Sequence, residues 1–429
     1  MKRHLIGIGG VGMSALATAL LRLGDEVTGA DRTLGTPNVR FLESLGVRVH
    51  PDDGSGIDRT TDEVIVSTAI EETNAGLVRA KELGIPVTHR AKALARTLKD
   101  YKLVAVVGTC GKSTVTAMLG HVLAECGLDP MCVNGANVPG WEGAVRFGRG
   151  EYAVAEVDES DKSLVAFSPY AAIVTNASAD HYSKEEMDEV FDAFVKDCEG
   201  PVVDGRGEEG RGEKGTGNGE QGTGVEWMTP LPGKHNLQNA ALAAKMALAL
   251  GCKAEDIKRA LSTFRGVERR LQLISRPVPC SLFPSPFSVY DDYAHNPEKL
   301  KAMWTTLAEK HPGGICVIWR PHGYAPLRKM MDALAAMFAE TVRPCDKLLL
   351  LPVYDAGGTT DRSVNSDELL RRIGAIEQSN NLNNRTIQVA DLDAAYAWCA
   401  AHKGEYAAFA TCGARDPGLP ALAKRLSEM

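Results

Sequence analysis

The sequence predicts an α/β protein assembled from doubly wound, mostly parallel units, and three observations predict it. Strand-like apolar runs alternate with helix-like segments along almost the whole chain. Two strands run directly into clustered glycines that open a helix, in GIGGVGM and in GTCGKST. The alternation also restarts twice, at the run from Leu103 to Val107 and at SVYDDYAHNP from Ser288. A chain of 429 residues is too long for one ordinary domain. The restarts divide it into expected domains at 1–98, 99–270 and 271–429.

In the first domain, His4-Leu5-Ile6 reads as a strand meeting Gly7, Gly9, Gly10 and Gly12, followed by an apolar helix. Such a turn lets the backbone approach a diphosphate at a helix N-terminus. It fits either a nicotinamide dinucleotide or another diphosphate. EVTGADR reads as a second strand ending at Asp31, the acid that would suit a ribose hydroxyl. EVIVSTAI reads as a later strand, with a helix through Leu77 to Ala80.

Residues 204–224, DGRGEEGRGEKGTGNGEQGTG, hold no apolar residue and alternate glycine with charge. They cannot bury surface to offset their ordering entropy, which predicts a flexible loop. Helical periodicity resumes over 236–250 and over 256–264. Beyond Ser288, strands such as ICVIW and KLLLLPVY alternate with helices again.

Composition excludes several function classes. Hydrophobic residues make up 44% and charged residues 24%, as in globular proteins, and the net charge of −7 offers no basic field for nucleic acid or an anionic membrane. No apolar run approaches the roughly 20 residues that a membrane-spanning helix needs. The ten cysteines show no CxxC pair, which predicts reduced thiols. The N-terminus runs into a strand without a secretory h-region, so a cytoplasmic location is expected. Small molecules are the expected partners, with the chain a monomer or homodimer.

The second glycine turn carries the strongest chemical signal. Gly108, Thr109 and Gly111 follow a buried strand, and Lys112, Ser113 and Thr114 open the next helix. Backbone N–H groups there can cradle phosphate oxygens, Lys112 can neutralise them, and the Ser113 hydroxyl can ligate Mg²⁺. Val106 stands where the strict eight-residue motif has its first glycine. The reading is an ATP or GTP site. Downstream, YAVAEVDESD ends a strand at Glu156, Asp158, Glu159 and Asp161, and AAIVTNASADH delivers Asp180 and His181. Carboxylates and a histidine at strand ends beside a phosphate loop suit Mg²⁺ bridging nucleotide and substrate. Arg265, Arg269 and Arg270 lie near the second boundary, where an arginine could reach a phosphate. DDYAHNP sets Asp292, His295 and Asn296 at a strand end, suited to ribose and nucleotide contacts.

Taken together, GIGGVGMSALA, STAIEETNAGLV, HRAKALA, GTCGKSTVTAML, VNGA, AEVDESDKS, TNASADH, LPGKHNLQNAALA, VERRLQ, DDYAHNP and RPHGY resemble, in order, the motifs of the Mur ligase family. The likeness is nearest its alanine-adding branch, with the peptide-attaching branch a near relative. It implies a Rossmann-like first domain, a central P-loop ATPase domain and a Rossmann-like third domain that takes the amino acid. It implies an ATP- and Mg²⁺-dependent ligase joining an amino acid, L-alanine by the nearest branch, to the lactyl carboxylate of UDP-N-acetylmuramate through an acyl phosphate. By the same resemblance Lys112, Glu156, His181 and Arg270 are catalytic, with Ser113, Glu156 and His181 as metal ligands. Asn236, Asn239, Arg270, Asp292, His295 and Asn296 join the phosphate loop in holding ATP. Gly9, Gly10, Val11, Gly12, Asp31, Ser67, Thr68 and Ala69 would line the UDP-sugar pocket, and His322 and Arg328 the amino-acid site.

Several positions depart from the family pattern. Cys110 replaces the usual histidine or asparagine before GK, Gly323 and Pro326 stand where close relatives carry arginines, and the late GAG motif reads CGARDPG. The rival readings are a nicotinamide-dependent oxidoreductase, which explains only GIGGVGM, and a non-catalytic binding paralogue.

Overall fold

The structure, a computed structural model, describes residues 1–158, 163–177, 184–206, 226–275, 287–355, 361–379 and 385–429. The chain forms two compact units, Met1–Val267 and Glu268–Met429. The first unit carries two sheets and the second carries one.

The first sheet is entirely parallel. It uses β1 (Lys2–Ile6), β2 (Glu26–Asp31), β3 (Arg48–Pro51), β4 (Glu63–Val66) and β5 (Val87–His89), in the order β3-β2-β1-β4-β5. Between them run α1 (Val11–Arg22), α2 (Pro37–Ser44), α3 (Ala75–Glu82) and, after β5, α4 (Arg90–Thr97). The strand order reverses between β1 and β4, so the loops after these two strands border the crevice where such sheets take ligands. Those loops are the glycine turn and Ser67–Ile70.

The second sheet has the order β11-β10-β6-β9-β7-β8. Its strands are β6 (Lys102–Val107), β7 (Met131–Val133), β8 (Val145–Arg146), β9 (Tyr152–Glu156), β10 (Ala171–Val174) and β11 (Val202–Asp204). Only β8 is antiparallel, at the edge. Helices α5 (Lys112–Glu125), α6 (Lys184–Val195), α7 (Lys234–Ala249) and α8 (Ala254–Thr263) flank it. Val104, Val106, Val115 and Leu119 share a fully buried layer with Ala240, Ala243 and Ala247 of α7. The small side chains let α7 lie close to α5. Val106 is completely buried and paired with Glu156 and Ile173, so it continues the strand where the strict motif would already have turned. Both α7 and α8 begin two residues earlier than the periodicity suggests, because Lys234, His235 and Glu255 in their first turns add no large apolar residue to the pattern.

The second unit holds β12 (Gln272–Ser275), β13 (Ser288–Asp292), β14 (Ile315–Trp319), β15 (Lys347–Leu350), β16 (Thr386–Gln388) and β17 (Ala408–Cys412), in the order β12-β13-β17-β14-β15-β16. Edge strand β12 is antiparallel and was not legible in the apolar pattern, its residues being only half-buried. Helices α9 (Pro297–Lys310), α10 (Tyr324–Thr341), α11 (Ser366–Ser379), α12 (Leu392–Ala401) and α13 (Gly418–Ser427) cover the faces. Trp304, Trp319 and Phe338 fill the core beneath α9 and α10. The loops after β13, β17 and β14 leave neighbouring strands at one sheet edge, which gathers Tyr293–Asn296, Gly413–Asp416 and Arg320–Gly323. Among the described residues, no helix is long and apolar enough to cross a membrane.

Candidate functional site

The phosphate-type loop between β6 and α5 is held from outside by the end of β10. Asn176 Oδ1 accepts hydrogen bonds from the Thr109 hydroxyl (2.6 Å) and the Cys110 N–H (2.9 Å), while its Nδ2 donates to the Cys110 carbonyl (3.1 Å). The Thr175 hydroxyl donates to the same carbonyl at 2.6 Å. Gly108 sits at φ 127°, and a Cβ there would collide with Thr175 Oγ1. Gly111 turns into α5 at φ 83°, a left-handed conformation that glycine adopts without strain. Ser113 and Thr114 follow, both buried in the first helical turn, where backbone N–H groups point toward an incoming anion. Lys112 Nζ reaches back to the Gly108 carbonyl at 2.5 Å. The loop is therefore pre-shaped, with its cation folded over it.

Two further groups border this loop. Glu156, at the end of β9, accepts the Gly135 N–H at 2.8 Å, and a Cβ at Gly135 would lie within 2.5–2.6 Å of the carboxylate. Gly135 thus leaves the space that the Glu156 side chain occupies. On α7, buried Asn236 donates to the Pro232 carbonyl (2.7 Å) and accepts from Asn239 Nδ2 (3.4 Å). Asn239 Oδ1 lies 2.7 Å from the Cβ that Gly111 lacks, so α7 presents Asn239 to the phosphate loop itself. His181 lies outside the described residues, as do Glu159, Asp161, Asp180 and residues 207–224 of the glycine-rich segment.

In the first sheet, Gly7 turns at φ 75° and Gly10 precedes α1. Asp31 accepts the Gly9 N–H at 2.8 Å through Oδ2 and the Thr33 N–H at 3.0 Å through Oδ1. Its carboxylate shapes the turn. Asn38 Nδ2 holds the Gly9 carbonyl at 2.9 Å. The Ser67–Ile70 turn after β4 closes over Gly7, with Ile70 Cδ1 3.5 Å from a Cβ there, and Thr68 Oγ1 pairs with His89 Nε2 at 3.1 Å. Arg90 starts α4 and lies beside Gly12, its guanidinium 3.2 Å from the Cβ position. Val11 is the first residue of α1 and Ala69 belongs to the exposed turn. The structure thus gathers the glycine turn, Ser67–Ala69, His89 and half-buried Arg90.

In the second unit, Arg269 and Leu271 take the left-handed region at φ 58° and 46°, flanking Arg270. This strained stretch is held by Arg269 Nε to Asp291 (3.0 Å), by Arg269 Nη2 to the Gly413 carbonyl (2.6 Å), and by the Leu271 N–H to Asp292 Oδ2 (2.6 Å). The Arg269 and Arg270 guanidiniums stand 5.0 and 5.4 Å from the Tyr293 ring centre. Burial pushes the Asp291 carboxyl up to about 6, against the opposing Arg269 charge and the Thr411 hydroxyl. Burial also raises Asp292, which accepts the Leu271 and Ala294 N–H groups; neither oxygen points freely outward. Asn296 caps α9 through the Lys299 N–H. His295 and His322 meet edge to face at 4.8 Å, and burial with nearby His295, Arg415 and Lys299 lowers His322 to about 4. Arg328 is engaged by Asp361 at 2.7 Å and by Ser363.

Thr175, Asn176, Gly135 and Arg90 are the members of these sites that sequence reasoning passed over. The signals for the first two were their place at a strand end beside an already suspected loop and their membership of TNASADH. Among the described residues, no three of His, Cys, Asp and Glu converge as a metal cage.

Comparison with known proteins adds an independent line. Residues 2–102 match the model described as the Mur ligase family catalytic domain, and residues 269–415 that of the Mur ligase glutamate ligase domain. The chain is 31% identical to the UDP-N-acetylmuramate–L-alanine ligase of Sinorhizobium medicae, over 99% of this chain and 97% of that protein. It is 32% identical to the enzyme of the same name from Gloeobacter violaceus, over 87% and 85%. Its structure is similar to that of the UDP-N-acetylmuramate–alanine ligase from Thermotoga maritima, with a TM-score of 0.82, 25% identity and coverage of 100% and 98%. A murein peptide ligase from Psychrobacter arcticus shares the fold at a TM-score of 0.66 and 20% identity.

Proposed function

The chain belongs to the Mur ligase family, an enzyme of the acid–amino-acid ligase class in peptidoglycan precursor synthesis, and from that premise we propose that it joins L-alanine to the lactyl carboxylate of UDP-N-acetylmuramate. The observation that carries this reading is the presence, in one compact unit, of two separate glycine turns built for phosphate. A nicotinamide enzyme needs only the first.

In this reading the Gly7–Gly12 turn and Arg90 take the UDP diphosphate, and Ser67–Ala69 line the same crevice. The backbone from Gly108 to Thr114 cradles the ATP phosphates, and Lys112 leaves the Gly108 carbonyl to neutralise them. By the family resemblance, Arg270, Asp292, His295 and Asn296 are the proposed nucleotide contacts. One lactyl carboxylate oxygen attacks the γ-phosphorus, ADP leaves, and an acyl phosphate forms. The alanine amine then attacks the acyl carbon, expels inorganic phosphate and loses a proton, leaving the amide. Lys112 stabilises the transferring phosphoryl group electrostatically.

The oxygen donors Ser113 and Glu156 fit a hard cation such as Mg²⁺, which binds proteins through one or two such oxygens and otherwise through substrate phosphates. When bound, Mg²⁺ supplies charge neutralisation for phosphoryl transfer. A reaction consuming ATP and a nucleotide sugar assigns the enzyme to the cytoplasm.

The test is phosphate release with ATP, Mg²⁺ and UDP-N-acetylmuramate against a panel of amino acids and a peptide. Release is expected with L-alanine, and a peptide-only response would move the chain to the peptide-attaching branch. Lys112→Ala is expected to lower turnover at least 100-fold, because it removes a charge contact at the transferring phosphate. An unchanged rate would refute the role of the loop.

A further inference from the structure

Helices α5 and α7 run side by side from the phosphate loop to a shared far end. Gly111, which opens α5, meets Asn239 of α7, whose Oδ1 lies 2.7 Å from a Cβ placed on that glycine. From there Val115, Leu119, Val122 and Leu123 share one buried layer with Ala240, Ala243, Ala244 and Ala247. Both helices cover roughly 15–20 Å from that meeting point before they end, at Glu125 and Ala249. The two ends are built alike. Gly127 and Gly251 take φ 82° and 91°, and the N–H groups that follow, of Leu128 and Cys252, donate back to the Leu123 and Ala247 carbonyls at 2.9 Å. This turn folds Cys252 back over the end of α7, while Cys126 caps α5. Both thiols pack, half-buried, against the layer that joins the helices. They stand close enough for each to act on the other as a hydrogen-bond partner. A second pair, Cys316 with Cys399 in the other unit, is completely buried and out of reach of solvent.

We propose that Cys126 and Cys252 form a redox-dependent disulfide that staples α5 to α7. The oxidant is a small-molecule disulfide of the glutathione class. The Cys126 thiolate attacks one of its sulfurs, forming a mixed disulfide and releasing one small thiolate. Cys252, having lost its proton to solvent, then attacks Cys126 Sγ and expels the second. Two protein thiols are oxidised, and one small disulfide is reduced to two thiols. Burial raises both protein thiols, Cys252 to about 12, while the Cys252 S–H favours the thiolate of Cys126. Cys126 is therefore the attacking group. The closed bond ties together the two ends of residues 127–251, so it restricts the unfolded chain. The folded chain, whose helix ends already meet, changes little.

The test incubates the folded full chain with glutathione disulfide at about pH 8.5, near the ordinary thiol value. Free thiols are then blocked with iodoacetamide, and the chain is digested without reduction for mass spectrometry. Wild type is expected to yield a peptide linking Cys126 to Cys252, and its midpoint of thermal unfolding should rise by about 5 °C or more. Dithiothreitol should reverse both changes. Cys252→Ser should stop at a glutathione adduct on Cys126, with no gain in the midpoint. Cys345→Ser, which removes an exposed thiol outside the pair, should behave as wild type. Wild-type protein in which both thiols stay free, or in which either is linked to a different cysteine, would overturn the proposal. A linked peptide without a rise in the midpoint would overturn the staple. The wild-type peptide map decides the pairing even if a variant fails to fold.

Discussion

Replacing Asn176 by alanine should disable ATP use while sparing the sugar-nucleotide site. The substitution deletes three hydrogen bonds to the phosphate loop: from the Thr109 hydroxyl, from the Cys110 N–H, and to the Cys110 carbonyl. Thr175 keeps the Cys110 carbonyl. At about 1 kcal/mol net for each neutral hydrogen bond, the clamp contributes about 2–3 kcal/mol. That leaves the domain folded, since such proteins hold roughly 5–15 kcal/mol of stability. At 1.36 kcal/mol per factor of ten, kcat/KM for ATP should fall about 30- to 150-fold. Asn176→Asp should not rescue it: the carboxylate keeps the acceptor but sets an oxygen against the Cys110 carbonyl. Steady-state kinetics with ATP varied, beside calorimetric titration of UDP-N-acetylmuramate, reads both sites. A kcat/KM for ATP within twofold of wild type would refute the clamp, and so would an equal loss of sugar-nucleotide affinity.

Gly135→Ala places a methyl group on the Glu156 carboxylate without straining the backbone, so the side chain must swing away and lose its 2.8 Å hydrogen bond. The Mg²⁺ concentration for half-maximal rate should rise, with kcat down about tenfold or more; an unchanged Mg²⁺ titration would contradict the placement of Glu156. Arg90→Ala should raise the KM for UDP-N-acetylmuramate about 10- to 100-fold and leave the KM for ATP alone, measurable in the same assay. Asp291 has a folded pKa of about 6, above the unfolded value near 3.9. Its contribution to stability is therefore full below about pH 4 and is lost as pH rises through about 6. Asp291→Asn should gain roughly 3 kcal/mol on wild type between pH 4 and pH 7, followed by denaturant unfolding with the buried Trp304 and Trp319 as fluorophores. His322, lowered to about 4, has the opposite sign, present above about pH 6.5 and lost as pH falls through about 4, and is common to both proteins. A flat difference across the window would show that burial does not govern Asp291.

Local chemistry made much of this protein legible. Glycines clustered after apolar strands announced both turns, since only a strand end opening a helix needs that backbone freedom. The alternation of strand and helix announced the α/β class, because buried parallel strands read as continuous apolar runs. Contacts between distant residues were not legible. The bond from Asn176 to Cys110 spans 66 positions, and nothing in TNASADH distinguishes a clamp from a strand end. Arg90 is an ordinary helix-opening arginine until α4 brings it beside Gly12. Asp31 suggested a ribose contact from its spacing, whereas both its oxygens accept backbone N–H groups of its own turn and the next.

The ligase reaction itself is tested most directly by isotope transfer. UDP-N-acetylmuramate labelled with ¹⁸O in both lactyl carboxylate oxygens would be converted with ATP, Mg²⁺ and L-alanine, and the released phosphate analysed by mass spectrometry. Attack of the carboxylate on the γ-phosphorus requires one ¹⁸O atom in each phosphate and one in the amide carbonyl. Unlabelled phosphate released at the same rate would mean that water cleaves ATP, and would contradict the acyl-phosphate route.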